Sequence, residues 1–287
     1  MRRARRSREA PGRPAFEYAG RVSPDEVVAL LVASLIAIAR WVLWYRRAAS
    51  RTRLLCPHGS RWALYAGPPL AAGVLLAVLL AFAAHDVRDS AAYTSFYMAL
   101  GMAWLAIAIA FTPMLGLRPH DDVIERRNRG AGSATLGALL GIMLAFAGAN
   151  IGDGPGWWVV VFCALLSTGT VYAAWIIVDF LAGTTDLATV DRDPAAGIRL
   201  GAFLIGAGGI AGRAVAGDWI SAPGAIDDWL ATAWPVLGLV LLEAVIGRMH
   251  HAIARRGPAS IVALGALPGA MYLLGAGAYI VSLGWWA

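Results

Sequence analysis

Lysine is missing from this chain, and all 24 of its basic residues are arginine. A phosphate-binding loop is thereby excluded, because Gly-rich stretches such as Gly206 to Gly212 have neither the Lys nor the Ser or Thr that would complete one. Charge of either sign is scarce. Charged residues make up 15% of the sequence and hydrophobic ones 59%, where a soluble domain has about 25% and roughly 45 to 50%. That excludes an ordinary soluble domain and puts the chain in the membrane class. Cysteine is nearly absent: Cys56 stands in an arginine-rich connection and Cys163 in an apolar run, so no disulfide between them is expected. Metal ligands are as sparse, since Cys56 with His58, and His250 with His251, each lack a third and fourth partner at useful spacing. The adjacent histidines read as headgroup contacts. Neither a G-x-S-x-G elbow nor an H-E-x-x-H pair occurs, and no nucleophile and base fall at matched depth. Neither an enzyme nor a cofactor is expected.

What the sequence does have is long apolar runs. A bilayer core of about 30 Å takes about 20 apolar residues per helix. Eight stretches qualify: Val27 to Tyr45, Trp62 to Ala84, Tyr93 to Leu115, Ala131 to Ile151, Trp157 to Leu181, Ala195 to Val215, Trp229 to Gly247 and Ala259 to Trp286. Continuous apolar runs favour helices over barrel strands, which alternate over about ten residues. The predicted fold is therefore all-α, a polytopic transmembrane bundle of eight helices. It divides into an arginine-rich tail over 1–24, three spans over 25–118, a hairpin over 119–183, a second hairpin over 184–250 and a last span over 251–287.

Arginine placement sets the orientation. Connections after spans one, three, five and seven hold fourteen arginines, among them Arg46, Arg47, Arg61, Arg118, Arg126, Arg127, Arg129, Arg192, Arg199, Arg248 and Arg255; those after spans two, four and six hold Arg88 and Arg213 alone. The positive-inside rule then puts the rich end in the cytoplasm of a bacterial inner membrane and the C-terminus in the periplasm, with Trp157, Trp158, Trp219, Trp229, Trp285 and Trp286 as an outer aromatic belt. The tail conflicts with this scheme, because eight spans place Arg2, Arg3, Arg5, Arg6, Arg8, Arg13 and Arg21 outside. Either the tail is translocated, or the first helix lies in the interface, or the start codon lies further on. Eight spans are favoured because Arg40, Arg46, Arg47, Arg51 and Arg53 hold the far end of the first helix inside. A cleaved signal peptide fits poorly, since no small-residue cleavage site follows the apolar run. The charge of +6 needs no nucleic-acid partner, because the arginines sit in short loops without a basic aromatic stripe.

A shift of 65 residues brings Arg127 onto Arg192, Gly132 onto Gly197, Leu139 onto Leu204, Gly141 onto Gly206, Ala149 onto Ala214, Gly152 onto Gly217 and Asp153 onto Asp218. The fourth and sixth spans are thus copies. With a few residues' gap the following spans continue the match, Trp158 near Trp229 and Asp179 near Glu243. Two helices per unit make the copies parallel; spans two and three read as a worn third copy and span eight as a lone first half. The motif of Arg127, Asn128, Ala131 and Gly132, repeated as Arg192, Asp193, Ala195, Ala196 and Gly197, resembles the domain-of-unknown-function 350 family, the YjfL-like bacterial inner-membrane proteins. The resemblance covers about residues 120 to 250, with Asp193 where the family's pattern favours asparagine. It implies tandem helical pairs in the inner membrane and no established activity.

Ionisable groups inside a bilayer carry a cost of a few kcal/mol, so each asks for a reason. Asp179, Glu243 and Arg199 are expected at similar depth, either lining a proton or cation path, forming a buried ion pair or snorkelling to the inner interface. Arg40 reads as a snorkelling anchor, while Asn150, Thr168 and Thr170 read as hydrogen bonds between helices, ahead of contacts to a solute. Small residues four apart, Gly137 with Gly141, Gly148 with Gly152, Gly208 with Gly212 and Gly265 with Gly269, predict that spans four, six and eight form the inner packing surface, with spans five and seven facing lipid. His120, Asp121 and Asp122 read as a solvated connector. Two functions follow: a membrane scaffold whose arginine-rich loops meet anionic lipid headgroups, another membrane protein or a second copy, or a small transport protein with a polar route past the three charges. Polar residues in the spans are few, which favours the scaffold.

Overall fold

The structure, a computed structural model, describes residues 23–50, 61–255 and 260–284. Several of the residues weighed above (Arg2, Arg3, Arg5, Arg6, Arg8, Arg13, Arg21, Arg51, Arg53, Cys56, His58, Arg256, Trp285, Trp286) lie outside these. The helices are α1 (Pro24–Ser50), α2 (Trp62–Phe82), α3 (His85–Arg88), α4 (Ala91–Ala108), α5 (Arg129–Gly148), α6 (Trp157–Ala182), α7 (Thr184–Thr189), α8 (Pro194–Ala214), α9 (Ala222–Ala233), α10 (Pro235–Ala254) and α11 (Leu267–Ser282). A 3-10 stretch, Ile109–Leu115, prolongs α4, and π turns form at Asp121–Glu125 and at Val262–Ala266, the latter opening α11. Eight of these helices are long and apolar enough to cross a membrane. The chain is a multi-pass, all-α membrane protein.

Local chemistry fixes where helices begin and end. Ser23 and Glu26 close a capping box on α1, with Ser23 N–H donating to Glu26 Oε2 at 2.8 Å. Asn128 caps α5, Asp193 caps α8 and Ser221 caps α9, each accepting from backbone N–H groups of the first turn. Gly183, at φ +54°, ends α6 in the left-handed conformation that a side chain would resist.

The spans form two rows of opposite direction. In the inner row α2, α5, α8 and α11 run parallel. Near their starts α5 and α8 meet at Gly130 and Gly197, and near their ends at Gly148 and Gly212. Gly67 of α2 faces Leu139, and Ala83 past its end bridges Ile151 and Gly152. Gly265 and Gly269 lie against Ala195 and Ala202 of α8. The outer row is α1, α4, α6 and α10. Trp41 Nε1 donates to Met102 O at 3.0 Å, Trp104 Nε1 to Thr168 Oγ1 at 3.0 Å, and Arg248 Nε to Leu181 O at 3.0 Å. Such hydrogen bonds and close packing hold helices together where lipid tails remove the hydrophobic drive.

Burial follows from this layout. The apolar windows of α5 and α8 are 78% and 83% buried, while that of α1 is 11% buried. Side chains such as Leu35, Phe180 and Leu274 point outward, as lipid-facing groups do. The eighth span differs from expectation. It meets α8 through Gly265 and Gly269 but is only 33% buried, because as the edge of its row it has a neighbour on one side.

Two further expectations are corrected. The run Trp229 to Gly247 is not one helix, since α9 stops at Ala233 and α10 starts at Pro235, whose missing N–H suits a first turn. Trp229 therefore belongs to α9, where its Nε1 donates to Thr170 Oγ1 at 2.9 Å. The connector at His120, Asp121 and Asp122 is packed. Asp122 is 1% exposed, accepts from Arg118 N–H at 2.8 Å and pairs with Arg126 at 3.1 Å, while His120 Nε2 contacts Trp44 O. Burial pushes the Asp122 carboxyl above the usual range, against the pull of the Arg118 N–H and of Arg126.

α1 runs the full depth of the bundle. Asp25 at its start accepts from Trp157 Nε1 at 3.3 Å, and Trp44 near its other end donates to Leu64 O at 2.9 Å. An interfacial first helix does not fit these two contacts.

Candidate functional site

Two turns of matching geometry, before α5 and before α8, build the frame. Among the described residues, the non-glycine positions with positive φ are Arg127 (+53°) and Arg192 (+57°), which are 65 residues apart. The same shift relates the hydrogen bonds around them: Asn128 N–H to Asp122 O at 3.0 Å matches Asp193 N–H to Leu187 O at 2.9 Å, and Arg126 N–H to Asp121 O matches Asp191 N–H to Asp186 O, both at 3.0 Å. Gly152 and Gly217, past the far ends of the two helices, also share positive φ.

Glycine lets the copies touch. A Cβ on Gly137 would stand 2.1 Å from Gly201 Cα, and one on Gly208 2.0 Å from Gly141 O. Gly141 itself faces Leu204 O, Gly148 faces Gly212 O, Gly212 faces Leu144 O, and Gly152 faces Gly217 O from the turn beyond α5. Backbone thus lies on backbone along the whole α5–α8 seam, which leaves no room there for a file of water.

Charge gathers at the start of α8. Asp193 accepts from Ala195 and Ala196 N–H through Oδ1, and its Oδ2 lies 3.1 Å from His250 Nε2. His250 Nδ1 lies 3.0 Å from Arg199 Nη1. A guanidinium only donates, so Nδ1 must accept, and the imidazole is neutral with its proton on Nε2 facing Asp193. Arg199 Nη1 also donates to the carbonyl of Leu264, in the π turn at the start of the eighth span. Its Nε reaches both Glu243 oxygens at 2.8 Å. Thr184 Oγ1 donates to Glu243 Oε1 at 2.8 Å and Tyr272 OH to Oε2 at 2.7 Å. Arg199, Glu243, His250, Thr184 and Tyr272 are all fully buried.

Of the three charges singled out in the sequence, two meet. Asp179 does not join them; its Oδ1 accepts from Thr185 N–H at 3.0 Å and so holds the turn into α7. Neighbouring residues of α7 thus serve the two carboxylates, Thr184 through its hydroxyl and Thr185 through its backbone. The histidine pair is also corrected. His250 is interior rather than a headgroup contact, and His251 Nε2 contacts Ala182 O at 2.9 Å.

His250, Tyr272, Thr184 and the Asp193 link escaped sequence reasoning. His250 had a usable signal, since it follows Glu243 by seven residues and hence shares its helix face. Tyr272 had none, because only packing brings α11 to α10. Thr168 and Thr170 accept from Trp104 and Trp229 on other helices, as expected, whereas Asn150 donates to Phe146 O of its own helix. Among the described residues no three His, Cys, Asp or Glu side chains gather as a metal site would require. No family model, no curated protein and no solved structure matches the chain.

Proposed function

We propose that the protein is a non-enzymatic scaffold of the bacterial inner membrane, with its arginine-bearing end in the cytoplasm and its C-terminus in the periplasm. What supports this most is the direct pairing of its interior charges, in which Arg199 Nη2 alone of the pair's polar atoms is left without a hydrogen-bond partner among the described residues. Arg199 and Glu243 contact each other directly and are fully buried, and Thr184 and Tyr272 occupy the remaining carboxylate lone pairs. A conducting route past them would have to break an ion pair that costs several kcal/mol to separate away from water. The cluster instead ties α7, α8, α10 and α11 together.

The arginine-bearing end supplies the docking surface. Arg46, Arg47, Arg61, Arg118, Arg129, Arg192, Arg248 and Arg255 belong to the ends of helices and the connections that meet there. Each contributes about 1 kcal/mol of attraction to an anionic leaflet. Kinship with the domain-of-unknown-function 350 family is part of the same proposal, supported by the doubled turn at Arg127 and Arg192.

Reconstitution in proteoliposomes loaded with pH- and potential-sensitive dyes tests the reading. The expected result is no proton, sodium or potassium flux above that of empty vesicles. A flux that Glu243→Gln abolishes would replace the scaffold by a transporter. Cysteine introduced at Arg126 should react with membrane-impermeant reagents only from the cytoplasmic side.

A further inference from the structure

At the end of the bundle opposite the arginine-rich one, where α5 and α8 stop and where Arg88 and Arg213 are the arginines among the described residues, the chain encloses an open cavity of about 920 Å³. Exposed carboxylates stand around its mouth: Asp86, Asp153, Asp218 and Asp228. No arginine is among the described residues that line it. The deeper wall is apolar and buried, with Val159, Val160 and Cys163 beside the phenol-bearing Tyr97. Cys163 lies six residues into α6, about 9 Å along that helix at 1.5 Å per residue. The cavity therefore reaches from a polar rim into the membrane-spanning part of the bundle.

Two observations besides the carboxylates indicate what fits. Asn150, 7% exposed, forms part of the wall; its Nδ2 donates to Phe146 O, and its Oδ1 has no partner among the described residues. A buried amide oxygen without a donor is unfavourable until something donates to it. The C-terminal ends of α5 and α8 also meet here, as Ala149, Ala214 and Val215 in the lining show, and both helix dipoles favour positive charge at that end. Asp218 Oδ1 accepts from Asp153 N–H at 2.9 Å; its other oxygen makes no hydrogen bond to a described residue.

We propose that this cavity binds an organic ammonium with an apolar body, its N–H groups held by the aspartate rim and Asn150 and its hydrocarbon part set against Val159, Val160, Cys163 and Tyr97. A bare metal ion fits less well, since the carboxylates ring the mouth without converging and no three metal-ligating side chains meet among the described residues. Trp219, also in the lining, adds an aromatic face that attracts ammonium groups. The proposal is independent of the scaffold reading and would give such a scaffold a ligand to sense.

Isothermal titration of the full chain in phosphatidylcholine nanodiscs, with 2-phenylethylamine as probe and 2-phenylethanol as its uncharged counterpart, tests it. Saturable binding of the amine, absent for the alcohol and for empty nanodiscs, is expected. Asp153→Asn with Asp218→Asn should weaken it by about tenfold or more, and Asn150→Leu by a smaller factor. Asp86→Asn, remote from the α5 and α8 turns, gives a second rim variant that should also weaken binding if the double variant fails to fold. Equal uptake of amine and alcohol, binding indifferent to the aspartate variants, competition by magnesium as strong as by a second amine, or no binding at millimolar probe would each overturn the assignment.

Discussion

At the start of α5, Asn128 donates its amide hydrogens to Ala188 O at 2.8 Å and Thr189 O at 3.1 Å, whereas at the start of α8, Asp193 in the same position turns a carboxylate oxygen to His250. The two turns share their backbone, down to an arginine in left-handed conformation before each cap. They differ in what the cap can do with its second polar atom. An amide can donate and so seals against carbonyls; a carboxylate only accepts and so recruits a donor. Further in, Ala134 stands where the second copy has Arg199, and Asp179, the counterpart of Glu243, faces no cation among the described residues and caps α7 instead. The comparison teaches that the two units share the glycine seam and the turns, whereas the fully buried Arg199–Glu243 pair belongs to the second alone.

Removing one partner of that charge should have the largest effect. Glu243→Ala leaves the Arg199 guanidinium buried without its counter-ion, which is expected to lower stability by about 3–5 kcal/mol. Arg199→Met with Glu243→Leu should recover only part of the loss, since the apolar pair removes the unpaired charge but leaves the Thr184 and Tyr272 hydroxyls and His250 Nδ1 without partners. Thermal unfolding in detergent, arranged as a double-mutant cycle, measures both. A double variant as unstable as the sum of the singles would show that the cluster matters for more than charge balance. The matching change in the first copy, Asp179→Ala, should cost much less, because it removes only a contact to the Thr185 N–H.

The seam should respond symmetrically where the charge cluster does not. Gly141→Ala and Gly208→Ala each drive a methyl into backbone on the opposite helix, with contacts at 2.2 and 2.0 Å. Each is expected to cost about 1–3 kcal/mol. Gly238→Ala, on α10 with nothing within 4 Å, should be neutral or gain up to about 1 kcal/mol from helix propensity. Equal effects at all three sites would mean that α5 and α8 do not touch through glycine.

Exchanging the caps sharpens the contrast next. Asn128→Asp keeps an acceptor for Ala131 N–H but withdraws both N–H groups from the carbonyls of Ala188 and Thr189, and should cost about 1–3 kcal/mol. Asp193→Asn keeps its oxygen for the Ala195 and Ala196 N–H groups but turns an amide N–H toward the His250 Nε2 proton; it withdraws one hydrogen bond where Asn128→Asp withdraws two, so a smaller loss of about 1 kcal/mol is expected. If the two exchanges cost the same, the difference between the copies lies elsewhere.

How much of this the sequence revealed depends on the range of the interaction. Apolar runs and arginine counts report on single segments, so the eight spans were legible, apart from the break at Trp234 and Pro235 that an apolar window hides. The likeness of the two turns was legible because the same backbone geometry recurs on the same residue type, at Arg127 and Arg192. Asp179 was misplaced because its match to Glu243 in register says nothing of which neighbour it finds; α7, a short helix too polar to register as a span, captured it. The cavity was illegible, since Asn150 and four aspartates from three different connections come to one rim only once the helices are packed.

The smallest effect is expected where the two copies are most alike. Arg127 and Arg192 sit at φ +53° and +57°, a region that disfavours L residues with a Cβ by about 1–2 kcal/mol. Glycine adopts it freely but loses more entropy on folding, which returns part of that gain. Arg127→Gly and Arg192→Gly should therefore each stabilise the protein by about 0.5–1 kcal/mol, and by equal amounts. Unequal shifts in melting temperature would show that one arginine side chain holds a partner that the other lacks, and the turns would then differ in their first residue as well as in their caps.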